Sequence, residues 1–522
     1  MPRSAGRSSA LVAAGILLSR IAGLVRQRVF AHYLGLSDAA DAVAISFRIP
    51  NLLQNLFGEG VLSASFIPVY ARLLAKDRDR EAGRVAGAVA ALLGLAVAVV
   101  VALGVGATPL VVDVLAPGFT GAKRELTITL VRILFPATGI LVFSAWCLGI
   151  LNSHRKFFLS YVAPVVWNAA IITAALGGRH RPARDLAVII AWGAVVGSVL
   201  QVLVQLPMVL TLVRGLAVRA VRADAEVRTV VRNFWPALMG RGVNQISAYV
   251  DGIISTLLGT SAAMGVVNAQ ILYTLPVSLF GMSVSAAELP EMSSALGSAE
   301  ERSAILRRRL EGGLHRIAFF VVPCAVAFLL LGQVVAGTLY QTGRFTAEDS
   351  RYVWAILAGA AVGLLASTLS RLVASTFYAL GDTRTPLRYA IVRVVLTTVL
   401  GFLCAVLAPR LMGLQLKWGA VGLTASAGFS AWIEFLLLRR GLAARIGPTS
   451  FAPGYVAKLW AAALTAGVLG LGLWRVAGIE ALRPVPTGAV VLVPYGLAYG
   501  ALTLALRIPT ARDLLARGLR RA

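Results

Sequence analysis

The sequence predicts an all-α polytopic membrane protein with 14 transmembrane helices: two pseudo-symmetric six-helix lobes and two extra C-terminal helices. Three observations carry this. Hydrophobic residues make up 58% of the 522 positions, and the mean hydropathy is +0.81, well above soluble domains of this length. Apolar windows long enough to cross about 30 Å of hydrocarbon recur along the chain. The sequence also repeats itself: "NLFGEGVLSASFIP" (55–68) resembles "SLFGMSVSAAELP" (278–290).

By length and flanking charge, the spans fall at 8–33, 40–71, 85–112, 126–151, 158–177, 185–213, 229–259, 263–296, 303–333, 350–379, 385–408, 417–440, 455–476 and 485–506. The N-terminus reads as an uncleaved first helix, since no small-residue cleavage site follows Arg3 and Arg7. Both copies of the repeat place LFG before a proline, ten residues later in one and nine in the other. A looser echo pairs "LGILNSHRKFFL" (148–159) with "YALGDTRTPLR" (378–388). The repeat divides the chain into an N-lobe at 1–225, a C-lobe at 226–445, and a final pair with a basic tail at 446–522. Six spans per half is an even number, so the halves share orientation about an axis along the membrane normal.

Charge is scarce and lopsided, with 49 Lys and Arg against 23 Asp and Glu. A net charge of +26 raises the question of nucleic acid. The basic residues instead occupy short loops such as "RLLAKDRDREAGR", "SHRKF", "ERSAILRRR" and "RRGLAAR". That placement encodes orientation by the positive-inside rule and puts both termini in the cytoplasm; only "GGRHRPAR" (177–184) runs against it. Nucleic acid is therefore not an expected partner. Cys147, Cys324 and Cys404 lie in apolar spans without a CxxC pattern, and the four histidines are scattered, so neither disulfides nor a metal centre is expected. No P-loop, HExxH or nucleophile elbow occurs. No enzyme activity and no cofactor are expected. Duplicated halves of this kind are common in transporters, with the site near the midplane.

The chemistry concentrates in four spans. Arg20 lies about 12 residues into the first span, roughly 18 Å deep at 1.5 Å per residue, too deep to reach the interface easily. Arg26 lies farther along, about 120° around the helix. Arg28 is close enough to the far interface for its stem to lie along lipid. The second span adds Asp41, Arg48, Gln54 and Glu59; the seventh adds Arg241, Asn244, Gln245 and Asp251; the eighth adds Asn268, Gln270, Glu288 and Glu291. Helix-to-helix ion pairs, such as Arg20 with Glu59, account for any one of these. The crowding into the first and second spans and their repeat mates favours a wet cavity. Guanidinium stays charged and grips phosphate oxygens in a fork, so an arginine-rich cavity suits a phosphate-bearing substrate.

At these residues the chain resembles a known family. "SRIAGLVRQ", "DAADAVAISFRIPNLLQNLFGEGVLSASFIPVYA", "LAPGF", "ILNSHRKF", "APVVWN", "QTGRFT" and "FYALGDTRTP", in this order, resemble the MurJ (MviN) lipid II flippases of the multidrug/oligosaccharidyl-lipid/polysaccharide exporter superfamily. The resemblance implies alternating access, a central cavity for the pyrophosphate and head group, and a groove at the last two helices for the polyprenyl tail. Arg20 and Arg26 match the family's cavity arginines, Asp41 and Glu59 its second-span acids, and Arg48 a basic position there. Two expected cavity arginines are absent, their places held by Gln54 with Asn55 and by Gln270 with Ile271. Arg241 is unusual on the family pattern and is the candidate replacement. Asp251 is a candidate Na⁺ ligand, although Gly401 stands where a second side-chain ligand is expected.

The resulting expectation is a monomeric flippase of the bacterial cytoplasmic membrane, with lipid II and membrane lipids as partners. The alternatives are a flippase for another polyprenyl-diphosphate-linked saccharide and a cation-coupled drug antiporter, which would want cavity acids and few arginines. Cysteines placed at Ser303 and Thr260, in a background without native cysteines, test the topology. Impermeant reagent should label 260 and spare 303; the reverse pattern would overturn the orientation.

Overall fold

In hydrocarbon every backbone N–H and C=O needs an internal partner, which leaves helices as the local solution for this composition. The computed structural model describes residues 3–57, 59–215, 225–294, 298–476 and 483–519; side chains at 3–14, 16, 49–50, 52–57, 59–60, 63, 235–248, 299 and 517–519 lie outside that description. Among the described residues the protein is helical, with only an isolated bridge from Thr342 to Phe345 in a tight turn.

Contacts within the chain divide it into two units, Met1–Ala263 and Met264–Ala522. The first contains α1 (Arg3–Leu34), α2 (Asp38–Phe57), α3 (Glu59–Ser65), α4 (Ile67–Leu74), α5 (Asp79–Gly106), α6 (Thr108–Leu115), α7 (Gly121–Ser153), α8 (Phe157–Gly177), α9 (Ala183–Leu212) and α10 (Ala225–Thr256). The boundary falls in the first turn of α11 (Ala262–Pro276). The second unit continues with α12 (Ser283–Ser293), α13 (Ala299–Leu330), α14 (Gly332–Tyr340), α15 (Ala347–Ala361), α16 (Leu364–Ala379), α17 (Arg384–Phe402), α18 (Ala408–Leu411), α19 (Gly419–Ile446), α20 (Tyr455–Val476), α21 (Pro484–Ala505) and α22 (Pro509–Leu519). Compactness thus groups α10 with the first unit, whereas the repeat pairs its sequence with the second half.

Among the described residues, 10 helices are long and apolar enough to cross a membrane, or up to 11 if α15 and α16, bent by 43°, form one span. The expected first, second and seventh spans correspond to α1, to α2 with α3 and α4, and to α10. The second is interrupted by a turn at Phe66, between α3 and α4. The second LFG copy sits in a π-helical turn at Val277–Met282, whereas Gly58 of the first lies outside the described residues. The π turn packs tightly, since a Cβ on Gly281 would meet Thr368 Cγ2 at 2.5 Å. The bend between α15 and α16 has a similar cause: the Gly363 and Gly428 backbones touch, leaving no room for a side chain.

In the first unit α7 packs against α2, α5 and α9. Ser144 on α7 accepts a hydrogen bond from Gln201 Nε2 at 2.7 Å and donates to Gln205 Oε1 at 2.8 Å, tying it to α9. In the second unit Tyr495 and Tyr499 of α21 each donate to a carbonyl of α13, at Pro323 and Phe319, both at 2.7 Å. Capping boxes start α13 (Ser298 with Glu301) and α15 (Thr346 with Asp349). The turn before α17 is held by Asp382, which accepts from the Thr385 hydroxyl at 2.6 Å and from the backbone N–H of Arg384 and Thr385. Those bonds, Thr385 foremost, hold its carboxyl at about 2. Its stabilising effect is present above the ordinary carboxylate value of about 3.9 and fades as pH falls toward 2.

One buried ion pair closes an end of the first unit. Asp41 is 0% exposed and accepts from Lys123 Nζ at 2.7 Å and from the Ser261 N–H at 2.9 Å. Lys123 also reaches Asp38 at 3.0 Å and lies 4.4 Å from the Phe119 ring of the "LAPGF" stretch. Burial works to raise the Asp38 carboxyl, but bonds from Lys123 and Thr260 and the Lys123 charge outweigh it and hold it low. Gly118 of the same stretch lies against the Thr256 carbonyl where no Cβ would fit. Removing Lys123 alone strands a buried carboxylate, so Lys123→Ala should cost about 3–5 kcal/mol. The measurement is thermal unfolding in detergent, in which Lys123→Met combined with Asp41→Leu should recover most of the loss.

Candidate functional site

The strongest concentration of unusual charge lies where α1, α2, α8 and α10 meet in the first unit. Arg26 on α1 is half-buried, and its Nε has no hydrogen-bond partner. No ion pair to it is found among the described residues. Its guanidinium instead faces aromatic rings, with its carbon 5.1 Å from the Trp167 ring of α8 and 5.8 Å from the Phe30 ring. Phe47 of α2 extends the cage, its centroid 6.1 Å from Phe30 and 6.2 Å from Trp167, both edge-on. Trp167 is fixed as a wall because its indole N–H donates to the Ala194 carbonyl at 3.2 Å. Ring faces partly offset the cost of a cation in a dry setting, by about 0.5–2 kcal/mol each, yet they offer no acceptor to the N–H groups.

The neighbour of Phe47 turns the other way. Arg48 lies against α10, where a Cβ on Gly252 would meet its Nη1 at 2.8 Å. The Tyr249 hydroxyl donates to the Arg48 carbonyl at 2.8 Å, and the Asp251 carboxylate attracts the guanidinium. Asp251, the candidate Na⁺ ligand, thus lies within the field of the Arg48 cation. No group of three or more His, Cys, Asp or Glu suited to a metal occurs among the described residues.

The other expected residues are dispersed. Arg20 is exposed on α1, in line with exposed Leu17 and Ile21. Asp41 stands two turns before Arg48 on α2 and is held by Lys123. Gln270 is exposed on α11, in the second unit. The side chains of Gln54, Glu59 and Arg241 lie outside the described residues. Glu288 and Glu291, the eighth-span carboxylates, are engaged within the second unit. Glu288, 5% exposed, pairs with Arg316 and, at 3.5 Å, with Arg309. Glu291 pairs with Arg309 at 2.7 Å.

Sequence reasoning missed the aromatic cage, the Lys123 partner of Asp41 and the role of Gly252. Phe30 was findable, since it follows Arg26 by four residues and such positions stack on one helix face. Trp167 and Lys123 come from other helices, and no local spacing connects them to their partners.

Comparison with known proteins gives the chain its relatives. The profile of a family described as "Lipid II flippase MurJ" matches residues 30–483. A "Lipid II flippase MurJ" from Burkholderia cenocepacia is 32% identical over 466 residues, covering 87% of each chain. A "Probable lipid II flippase MurJ" from Haemophilus influenzae is 31% identical over 443 residues, covering 82% of this chain and 84% of the relative. Among solved structures, one described as "Lipid II flippase MurJ, inward closed conformation" superposes with a TM-score of 0.75 at 21% identity, covering 95% of this chain and 99% of that one. An inward-facing multidrug resistance MATE transporter of the MOP superfamily superposes at 0.64 and 17% identity, covering 82% and 95%. At these identities the structural matches speak for the fold.

The cage makes a measurable claim of its own. In a double-mutant cycle on thermal stability, Arg26→Met and Trp167→Leu should couple by about 0.5–2 kcal/mol, the range for a desolvated cation over a ring. Additive losses would mean that the ring does not hold the cation.

Proposed function

Because the chain belongs to the MurJ family of lipid II flippases, we propose that it moves lipid II, the lipid-linked peptidoglycan precursor, from the cytoplasmic to the outer leaflet of the bacterial inner membrane by alternating access. The observation that carries the proposal is Arg26, a cation in a membrane helix whose Nε lacks a hydrogen-bond acceptor. The pyrophosphate of the substrate supplies the missing oxygens, and guanidinium offers a fork of donors for them. Arg20 belongs to the same site. Its exposure among leucines would be costly in lipid, so this face of α1 borders water when the cavity is open. Arg48, held in place by Asp251 and the Gly252 notch, is the third cation.

In this reading α1, α2 with its continuation, and α10 are the further crossings that bring the total to 14, and both termini are cytoplasmic. Asp41 and Glu59 position the second span, and Gln54 and Gln270 offer amides where relatives carry arginine. Arg241 replaces the missing charge. The chain works as a monomer. A drug antiporter, which would want cavity acids and few arginines, is disfavoured by Arg20, Arg26 and Arg48. Another polyprenyl-diphosphate-linked saccharide would use the same contacts, and the substrate arm of the assay separates the two.

The test is rescue of cells depleted of their own lipid II flippase, with lipid II translocation measured directly. Arg20→Ala and Arg26→Ala should insert normally yet fail to rescue, and Arg26→Lys should recover little because the fork is gone. Arg241→Ala should weaken transport about as much as Arg26→Ala, and Gln54→Arg should restore part of it. Full transport by the Arg20→Ala/Arg26→Ala double variant would overturn the arginine site. Failure of the unaltered protein to rescue would point to a different saccharide.

A further inference from the structure

A second site is built into the other unit, away from α1 and α2. A cavity of about 590 Å³ lies among the C-terminal ends of α13 and α20, the short helix α14, and the N-terminal turns of α15 and α21. That size falls within the usual range of ligand cavities, about 300–1,000 Å³. Its wall, among the described residues, carries two arginines, Arg351 and Arg475, and no acidic side chain. Both arginines are exposed, and neither forms an ion pair among the described residues. The acids on the first turn of α15 are engaged elsewhere, Glu348 with Lys417 at 3.8 Å and Asp349 in the helix cap.

The rest of the wall is amphipathic. Trp354 and Trp474 face the cavity. The Trp354 indole N–H donates to the Phe328 and Leu329 carbonyls, both at 3.1 Å, and its ring lies on Gly332, so it forms a rigid surface. Leu330 and Leu471 supply an apolar floor, and Gln333 adds a side-chain amide. The Gln341 carbonyl oxygen is used by the Ser350 hydroxyl at 3.4 Å, which leaves its amide N–H groups for a ligand. The site therefore combines two cations that form no ion pair among the described residues, indoles at a helix end, and aliphatic surface.

These helix ends lie opposite the basic segments at 302–316, 384–388 and 439–445. On the orientation set by those segments, the cavity opens at the outer leaflet. Tryptophan belongs at that level of a membrane, and arginine forks there meet lipid phosphate. We propose that the cavity binds the head group of an anionic phospholipid of the outer leaflet. The phosphate lies between Arg351 and Arg475, and the glycerol and first methylenes rest against Trp354, Trp474 and Leu330. Bound there, the lipid clamps the C-terminal pair α20 and α21 to α13, α14 and α15.

Native mass spectrometry of the purified full chain tests this, with phosphatidylglycerol, phosphatidylcholine of the same acyl chains, inorganic phosphate and a polyprenyl diphosphate as probes. The expected result is retention of one phosphatidylglycerol at least tenfold more tightly than phosphatidylcholine. Arg351→Gln with Arg475→Gln should weaken it at least tenfold, and Trp474→Ala, which keeps both cations, should weaken it less. If the double variant does not fold, Arg475→Gln alone gives the same reading at reduced amplitude. Equal retention of the two phospholipids, or no effect of the arginine variants, would overturn the proposal. So would displacement of the lipid by millimolar inorganic phosphate, which would make this a free-anion site, or by equimolar polyprenyl diphosphate, which would place the cavity on the substrate path. Binding is read without transport, so its failure leaves the flippase reading standing, and failure of depletion rescue leaves this site standing.

Discussion

Hydrocarbon offers no partner to a charge, and most of the polar architecture follows from that constraint. Each ionised group in these helices must find its answer inside the protein or in water that the protein admits. Asp41 is answered by Lys123, Glu288 by Arg316 and Arg309, and Glu434 by Arg393 at 3.0 Å. Arg48 lies against the Gly252 notch, where Asp251 attracts it. The ion pairs tie one helix to another, so they also set how the helices pack. Arg26 differs, with ring faces around it and no acceptor for its Nε. Such a cation is tolerable when the missing partner arrives with the substrate.

The second consequence concerns how helices approach one another. Lipid tails give little apolar drive for helix association, so close packing and short polar ties take over. The Gly363–Gly428 contact and the seat of Trp354 on Gly332 are of the first kind. The Ser144 bonds to Gln201 and Gln205 are of the second. The π turn at the second LFG copy is close-packed in the same way, with Gly281 against Thr368, and π turns frequently accompany function.

The two proposed anion sites use the same chemistry at different depths. On α1 the arginines sit in the span, where only a permanently charged, planar donor set is worth its cost. At the ends of α15 and α20 the arginines stand beside tryptophans, where indole and guanidinium are both at home. The first arrangement suits a substrate in transit and the second a resident lipid.

Much was legible in the sequence alone. Hydropathy gave the fold class, because a backbone in lipid has few choices. The repeat of LFG and the depth of Arg20 and Arg26 were readable, since each depends on local spacing. Ordered motifs from "SRIAGLVRQ" to "FYALGDTRTP" pointed to the family. Tertiary structure alone decided who answers each charge. Asp41 reads as a cavity acid until Lys123, 82 positions away, is seen to hold it. Arg26 reads as one of several arginines until Phe30, Phe47 and Trp167 enclose it. Arg351 and Arg475 gave no signal at all, being far apart in sequence and ordinary at the ends of their helices. Pairing across helices depends on which faces meet, and a one-dimensional pattern records the period of each face but not its neighbour.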